Sequence, residues 1–332
     1  MPADPRPVAL VGATATGKTA LALALARRFG DVELVSIDAL AIYRGLDIGT
    51  AKPTPAERAA APWHLLDLVD PHEEFSVAEF QAAARAALAA IAAAGHRAVL
   101  VGGTGLYHRA VIDELCLPGR YPEIAAALEA ELAAAGTSAG LYARLAALDP
   151  LAASRIVPTN ARRVVRALEV TLGSGRPFSA SGPGLEHYPP TRFVQIGLRL
   201  PRAELDRRIA TRCAAQLAAG WLEEVATLRG AGAWSRTAAA ALGYGQLAAH
   251  LAGACSLEEA TSEILRRTRA FARRQEAWFR RDPRVRWLDA DAPDLVEAAA
   301  ALIAESDAAP PVPDGAAADG RTVPDARMDR WG

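Results

Sequence analysis

The residues Val8 to Thr19, VALVGATATGKT, carry the densest chemistry in the chain. They spell GxxxxGK[ST]: Gly12, then Ala13, Thr14, Ala15 and Thr16, then Gly17, Lys18 and Thr19. Glycines at those positions let backbone N–H groups turn toward a phosphate, and a helix starting at once adds partial positive charge from its N-terminus. Lys18 supplies a point charge for the outer phosphate, and Thr19 a hydroxyl able to hold Mg²⁺. Gly12 to Thr19 is therefore expected to hold phosphate, which leaves the reaction open. Next comes Asp38, a carboxylate at the end of the apolar run VELVSI. Open α/β sheets bind ligands just beyond their strand ends, so Asp38 and the glycine loop should face one cleft.

Arginine dominates the third group. The doublets Arg266/Arg267, Arg273/Arg274 and Arg280/Arg281 recur every seven residues, as do Ile264/Leu265, Phe271/Ala272 and Trp278/Phe279. On a helix the two sets fall on roughly opposite faces, one apolar and one cationic. Between Ile264 and Arg286 nine arginines stand against Glu276 and Asp282. A surplus unmatched by acids favours a polyanion partner, with a solvated charged face as the plain alternative. Arg155, Arg162, Arg163 and Arg166 form a second cluster. Two basic surfaces flanking one cleft suit a folded nucleic acid better than a small metabolite.

The elements that position these groups read as follows. Val8–Val11, Val32–Ile37 and Arg97–Val101 are short buried strands. Leu65–Val69 reads as another. Strand, glycine turn and helix occur twice, after Val11 and again at Gly102-Gly103-Thr104-Gly105. That repetition predicts an α/β fold with a P-loop NTPase-like parallel sheet and helices on both faces. Ser76 with Glu79 opens a helix to about Ala94. From Leu117 the pattern turns helical, Tyr121–Ala135 and Thr159–Leu172, followed by a Gly/Ser/Pro-rich loop from Gly173 to Pro190. Arg192–Leu200 returns to strand character. Helices follow at Pro201–Ala218, Leu222–Arg229, Arg236–Leu251 and Ser256–Arg281, then a strand at Val285–Leu288 and a helix at Leu295–Glu305. The reading divides the chain into a core, residues 1–116 and 191–305, a helical insertion, 117–190, and a disordered tail, 306–332.

The totals exclude several classes. The 332 residues hold 37 basic and 38 acidic side chains, so charge arguments must be local. Only Lys18 and Lys52 are lysines; every other basic residue is arginine, which looks like coding bias and makes those two positions informative. Cys116, Cys213 and Cys255 are too scattered for a disulfide framework or zinc site, and a cytoplasmic setting is the default. No apolar run is long enough to span a bilayer, so no membrane partner is expected. A monomer is the default assembly.

SIDALAIYRGLDIGTAKP, VGGTGLY, NARRVVRALEV, ALGYGQL and FARRQEAWFRRDPRVRW, together with GATATGKT, resemble the tRNA dimethylallyltransferases. The match runs in order from about Val8 to Leu288. The resemblance implies transfer of dimethylallyl from its diphosphate to N6 of adenosine 37 in the tRNA anticodon loop, with Mg²⁺ and release of diphosphate. It implies Asp38 as general base, Thr104 on the leaving-group oxygen and Arg212 as a clamp on the diphosphate. Lys18 and Thr19 would stabilise the departing charge. Asp38, Ala39, Leu40 and Ala41 would meet the base, Arg162, Arg163 and Arg166 the anticodon stem-loop, and Arg273 and Arg274 the RNA backbone. Ala41 departs from the family, which usually has Gln there, so base discrimination is expected to be weaker or to use main chain. Gly245 stands where a basic residue is usual. Ala13 replaces a proline without expected consequence. From the residues alone, two other readings stay open: a P-loop kinase acting on a small molecule with ATP, and a non-catalytic RNA-binding relative.

Overall fold

The computed structural model describes residues 5–230 and 232–310. Six strands, β1 (Val8–Gly12), β2 (Val32–Ser36), β3 (Trp63–His64), β4 (Arg97–Val101), β5 (Val194–Arg199) and β6 (Arg286–Asp289), form one sheet in the order β3-β2-β4-β1-β5-β6. Every pairing is parallel. Parallel sheets need both faces covered, and the composition supplies two apolar faces. Ala9, Val35, Ala98 and Leu100 pack toward Phe80, Leu88, Ile91 and Tyr107 on one side. Val8, Leu10, Leu34, Val99, Ile196 and Leu198 pack toward Leu21, Leu25, Ala299 and Ile303 on the other. Each such buried Leu, Ile or Phe contributes about 1.5–3 kcal/mol.

The expected helices on both faces are present, and the boundaries differ where local chemistry decides. The capping box at Ser76 and Glu79 opens the helix Val77–Ala93. The expected strand Leu65–Val69 is absent: Leu65 and Asp67 take φ values of 62° and 55°, which no strand tolerates. The strand lies one turn earlier, at Trp63–His64, and Val69 makes only an isolated bridge to Tyr43. The expected helix Arg236–Leu251 is two, Arg236–Ala239 and Tyr244–Leu251. Gly243 separates them at φ 93°, its α-carbon pressed against the Trp221 ring where a side chain would not fit. Pro55–Ala60, with its own capping box, is a further helix in a stretch to which the sequence reading assigned no element.

Between β4 and β5 the chain is all helix, as expected. It is richer than expected: Ala139–Leu148 and Pro150–Arg155 lie between Pro122–Ala135 and Ala161–Ser174. Asp149 is the N-cap of the helix Pro150–Arg155, with Pro150 in its first turn. These helices share a core of their own, with Leu128, Leu141, Leu145, Ile156, Val164 and Leu168 buried together. The last helix runs from Leu295 to Ala308, past the expected limit, because Asp307 is tied to the Arg97 guanidinium at 2.7 Å. Of the tail expected to be disordered, residues 311–332 lie outside the described residues.

Candidate active site

The phosphate loop begins as β1 ends at Gly12 and closes at Gly17, whose φ of 90° starts the helix Lys18–Phe29. Ala15 also sits at positive φ, 65°, which turns neighbouring amides into a concave nest for an anion. Thr16 is buried, and its hydroxyl donates to the Ala13 carbonyl at 2.9 Å, so it shapes the loop. The Lys18 ammonium donates to the Gly12 and Ala13 carbonyls at 3.0 and 2.7 Å. Burial, and secondly the Arg212 charge, lower its pKa to about 7, with Asp38 acting the other way. Arg212, from the helix Arg202–Ala218, donates to the Thr14 hydroxyl at 2.7 Å. Its side chain thus grips the loop directly.

Asp38 follows β2 immediately. Its Oδ1 accepts the Leu40 N–H at 2.8 Å, and the Ala39 N–H donates to the Thr104 hydroxyl at 3.3 Å. This meeting of two turns depends on Gly102: a β-carbon there would collide with the Ile37 carbonyl. Lys18, Thr19, Asp38, Ala41, Gly103 and Arg212 all line one cleft of about 630 Å³ at the C-terminal ends of β1, β2 and β4. The expected convergence of phosphate loop, carboxylate and clamp is thus present in the geometry. Gly12 and Ala13 lie beneath the loop as buried backbone, and Ala41 is 5% exposed, a wall residue without a polar group.

An IPP transferase family model matches residues 41–282, and an isopentenyl transferase model matches residues 6–64. The tRNA dimethylallyltransferase of Thermobifida fusca is 52% identical over 304 residues, covering 90% of this chain and 94% of that protein. The chain belongs to the tRNA dimethylallyltransferase family. Its relative from Streptomyces avermitilis is 51% identical over 89% of this chain and 94% of that protein. Among solved structures, the tRNA isopentenylpyrophosphate transferase of Bacillus halodurans is 36% identical, with a TM-score of 0.66 over 91% of this chain and 98% of that one. A eukaryotic dimethylallyltransferase acting on tRNA, 23% identical, shares the fold with a TM-score of 0.73.

On this dimethylallyltransferase-family scaffold the arginine surplus is smaller than the sequence count. Glu263, just before the counted stretch, pairs Arg266 at 2.7 Å and Arg267 at 2.6 Å. Arg280 pairs with Glu276, Arg284 with Asp113 and Asp282, and Arg286 with Glu305. Arg273, Arg274 and Arg281 are exposed without a carboxylate partner among the described residues. In the helical insertion Arg162 and Arg163 are exposed, whereas Arg166 bridges Glu169 at 2.8 Å and donates to the Pro118 carbonyl at 2.8 Å. Arg166 therefore has a structural duty that its neighbours lack. Gly245 is exposed with open space around it, outside the cleft.

Sequence reasoning missed three supports. Glu224 accepts the Asp47, Ile48 and Gly49 N–H groups at 3.0, 2.8 and 3.3 Å, and the Tyr244 hydroxyl at 2.6 Å. Lys52 was singled out without a role: it is 7% exposed and donates to the Tyr43 carbonyl, Asp47 and Asp67 at 2.5, 2.6 and 2.5 Å. Together they pin the loop that follows Asp38. Gln275, on the Arg-rich helix Leu257–Phe279, touches the phosphate loop itself. Its signal was a polar residue on the apolar stripe of a motif otherwise read for its arginines.

Proposed function

We propose that this protein transfers a dimethylallyl group from dimethylallyl diphosphate to N6 of adenosine 37 in the anticodon loop of tRNA. The observation that carries the reading is one cleft lined by both an anion-binding loop and a carboxylate, within a chain of this family. An exocyclic adenine amine is a weak nucleophile, because its lone pair is delocalised into the ring. Asp38, with Oδ1 fixed by the Leu40 amide, accepts the N6 proton through its other oxygen as the N–C bond forms. The C–O bond of the allylic carbon breaks, and the electron pair leaves with diphosphate. Loop amides, Lys18 and Arg212 stabilise that growing charge, and Thr104 lies beside the leaving group. The oxygen donors Thr19, Ser36 and Asp38 on the cleft wall suit Mg²⁺, which Thr19 would hold. When bound, the ion would neutralise diphosphate charge.

The proposal extends to the partners. Asp38, Ala39, Leu40 and Ala41 meet the flipped base, which Ala41 cannot read through a side-chain amide. Residues 117–190, with their own core, form the unit that holds the anticodon stem through Arg162 and Arg163, and Arg273 and Arg274 contact backbone phosphates. A cytoplasmic monomer completes the proposal; no described helix is long and apolar enough to cross a membrane.

The direct test incubates the protein with unmodified tRNA, dimethylallyl diphosphate and Mg²⁺, followed by mass spectrometry of the nucleosides. One dimethylallyl mass gained on adenosine is expected. In a parallel incubation with ATP, its consumption without that product would identify a kinase, and tRNA binding with neither activity a non-catalytic relative.

A further inference from the structure

Gln275 occupies a position where the apolar stripe of its helix would otherwise continue. Its side chain is 7% exposed and lines the cleft. The Thr14 N–H donates to its Oε1 at 2.9 Å, and its Nε2 donates to the Gly103 carbonyl at 2.9 Å. A carboxamide carries acceptor and donor on one rigid plane, so these two bonds fix two turns relative to each other. Both turns lead to groups assigned to the reaction. Thr14 is held on its hydroxyl by Arg212 in the diphosphate loop. Gly103 precedes Thr104, which accepts the Ala39 N–H next to Asp38.

We propose that Gln275 is a positioning residue that sets the spacing between the diphosphate loop and the turn carrying Thr104, which in turn touches the Asp38 turn through the Ala39 N–H. This rests on the prenyl-transfer reading above. In-line attack requires leaving group and amine to be aligned closely, and a misplacement of about 1 Å can cost about a hundredfold in rate. Arg273 and Arg274 are exposed on the same helical turn, while Gln275 is turned inward. Losing the carboxamide should therefore disturb chemistry without weakening RNA contact.

Two substitutions test this. Gln275→Leu keeps the volume and removes both bonds. The expected result is a kcat about 10–100-fold lower, tRNA KM within about twofold of wild type, and affinity for inorganic diphosphate about fivefold weaker. Gln275→Glu keeps the acceptor and regains the donor only when its carboxyl holds a proton. Burial raises a carboxyl above its usual value of about 4.3, so this variant's kcat, divided by that of wild type at the same pH, should rise as pH falls toward about 5. Lys18, Arg212 and Asp38 face this position across the cleft, and Arg274 and Glu276 flank it on its own helix. Dividing by wild type at the same pH removes the pH dependence that the two proteins share.

A Leu variant with wild-type kcat, or one whose tRNA KM rises as far as kcat falls, would overturn the proposal. If its melting curve shows the Leu variant unfolded, the Glu ratio decides, and a flat ratio overturns. If wild-type protein adds no dimethylallyl to tRNA, the functional reading fails by itself. Diphosphate affinity then still judges Gln275, and equal values for wild type and the Leu variant would reject it.

Discussion

Asp38 is fixed on one oxygen, and Lys18 is held by two carbonyls that a phosphate must replace. Asp38→Asn keeps the shape and removes the base, so kcat should fall at least about a hundredfold with tRNA affinity unchanged. Steady-state kinetics beside a filter-binding curve checks this, and parallel loss of both would remove the base assignment. Lys18 adds a pH dependence. Its pKa is lowered to about 7 in the ligand-free protein, and a bound diphosphate raises it again. Binding then takes up a proton above about pH 7, and diphosphate affinity should decline as pH rises through that value. Calorimetry in two buffers of different ionisation enthalpy reads the proton directly. The sign for folding is the opposite one. Between about pH 7 and the unfolded lysine value, the unfolded chain binds the extra proton, so this residue's contribution makes stability rise with pH. The sequence revealed Lys18, Thr19, Asp38 and Thr104 because each follows a strand in a short, spaced motif. Glu224 and Gln275 were hidden because their partners are backbone amides far along the chain, which no local spacing encodes.

The Arg-rich helix shows what periodicity delivers and where it stops. Seven-residue spacing located both faces correctly, with Ile264, Ala272 and Phe279 buried and all six doublet arginines exposed. Spacing could not show that the first doublet shares Glu263, because side-chain pairing along a helix depends on rotamers as well as register. The prediction is correspondingly selective. Replacing Arg273 and Arg274 by alanine should weaken tRNA binding and flatten its logarithmic salt dependence by about one to two contacts. The same change at Arg266 and Arg267 should alter it less. Titrations at several salt concentrations separate the two pairs, and a slope unchanged from wild type in the Arg273/Arg274 variant would return this face to plain solvation.

For the whole molecule, what ties the insertion to the sheet matters most. Arg109 is 1% exposed; it pairs with Asp113 and donates to the Leu185 and His187 carbonyls at 2.8 and 2.6 Å. Arg284 reaches Asp113 and the Pro189 carbonyl from the other side at 2.6 and 2.5 Å, and Tyr188 lies against both guanidinium groups. Asp113→Ala leaves the buried Arg109 without its carboxylate, while Arg284 keeps Asp282, and should cost about 3 kcal/mol in denaturant unfolding. The sequence showed this region only as a Gly/Ser/Pro-rich loop. Its order comes from residues on two distant segments, so composition alone could not reveal it.

At the rim opposite the cleft, the Arg97 guanidinium draws together Arg6 and Asp307, one just before the first strand and one in the final helix. Because all six strands run the same way, both of these positions sit behind the sheet, at the strand beginnings. With the chain cut back to these two positions, a fluorescent protein or surface anchor joined at either would leave from the rear, so tethered copies should present an open mouth to an incoming tRNA.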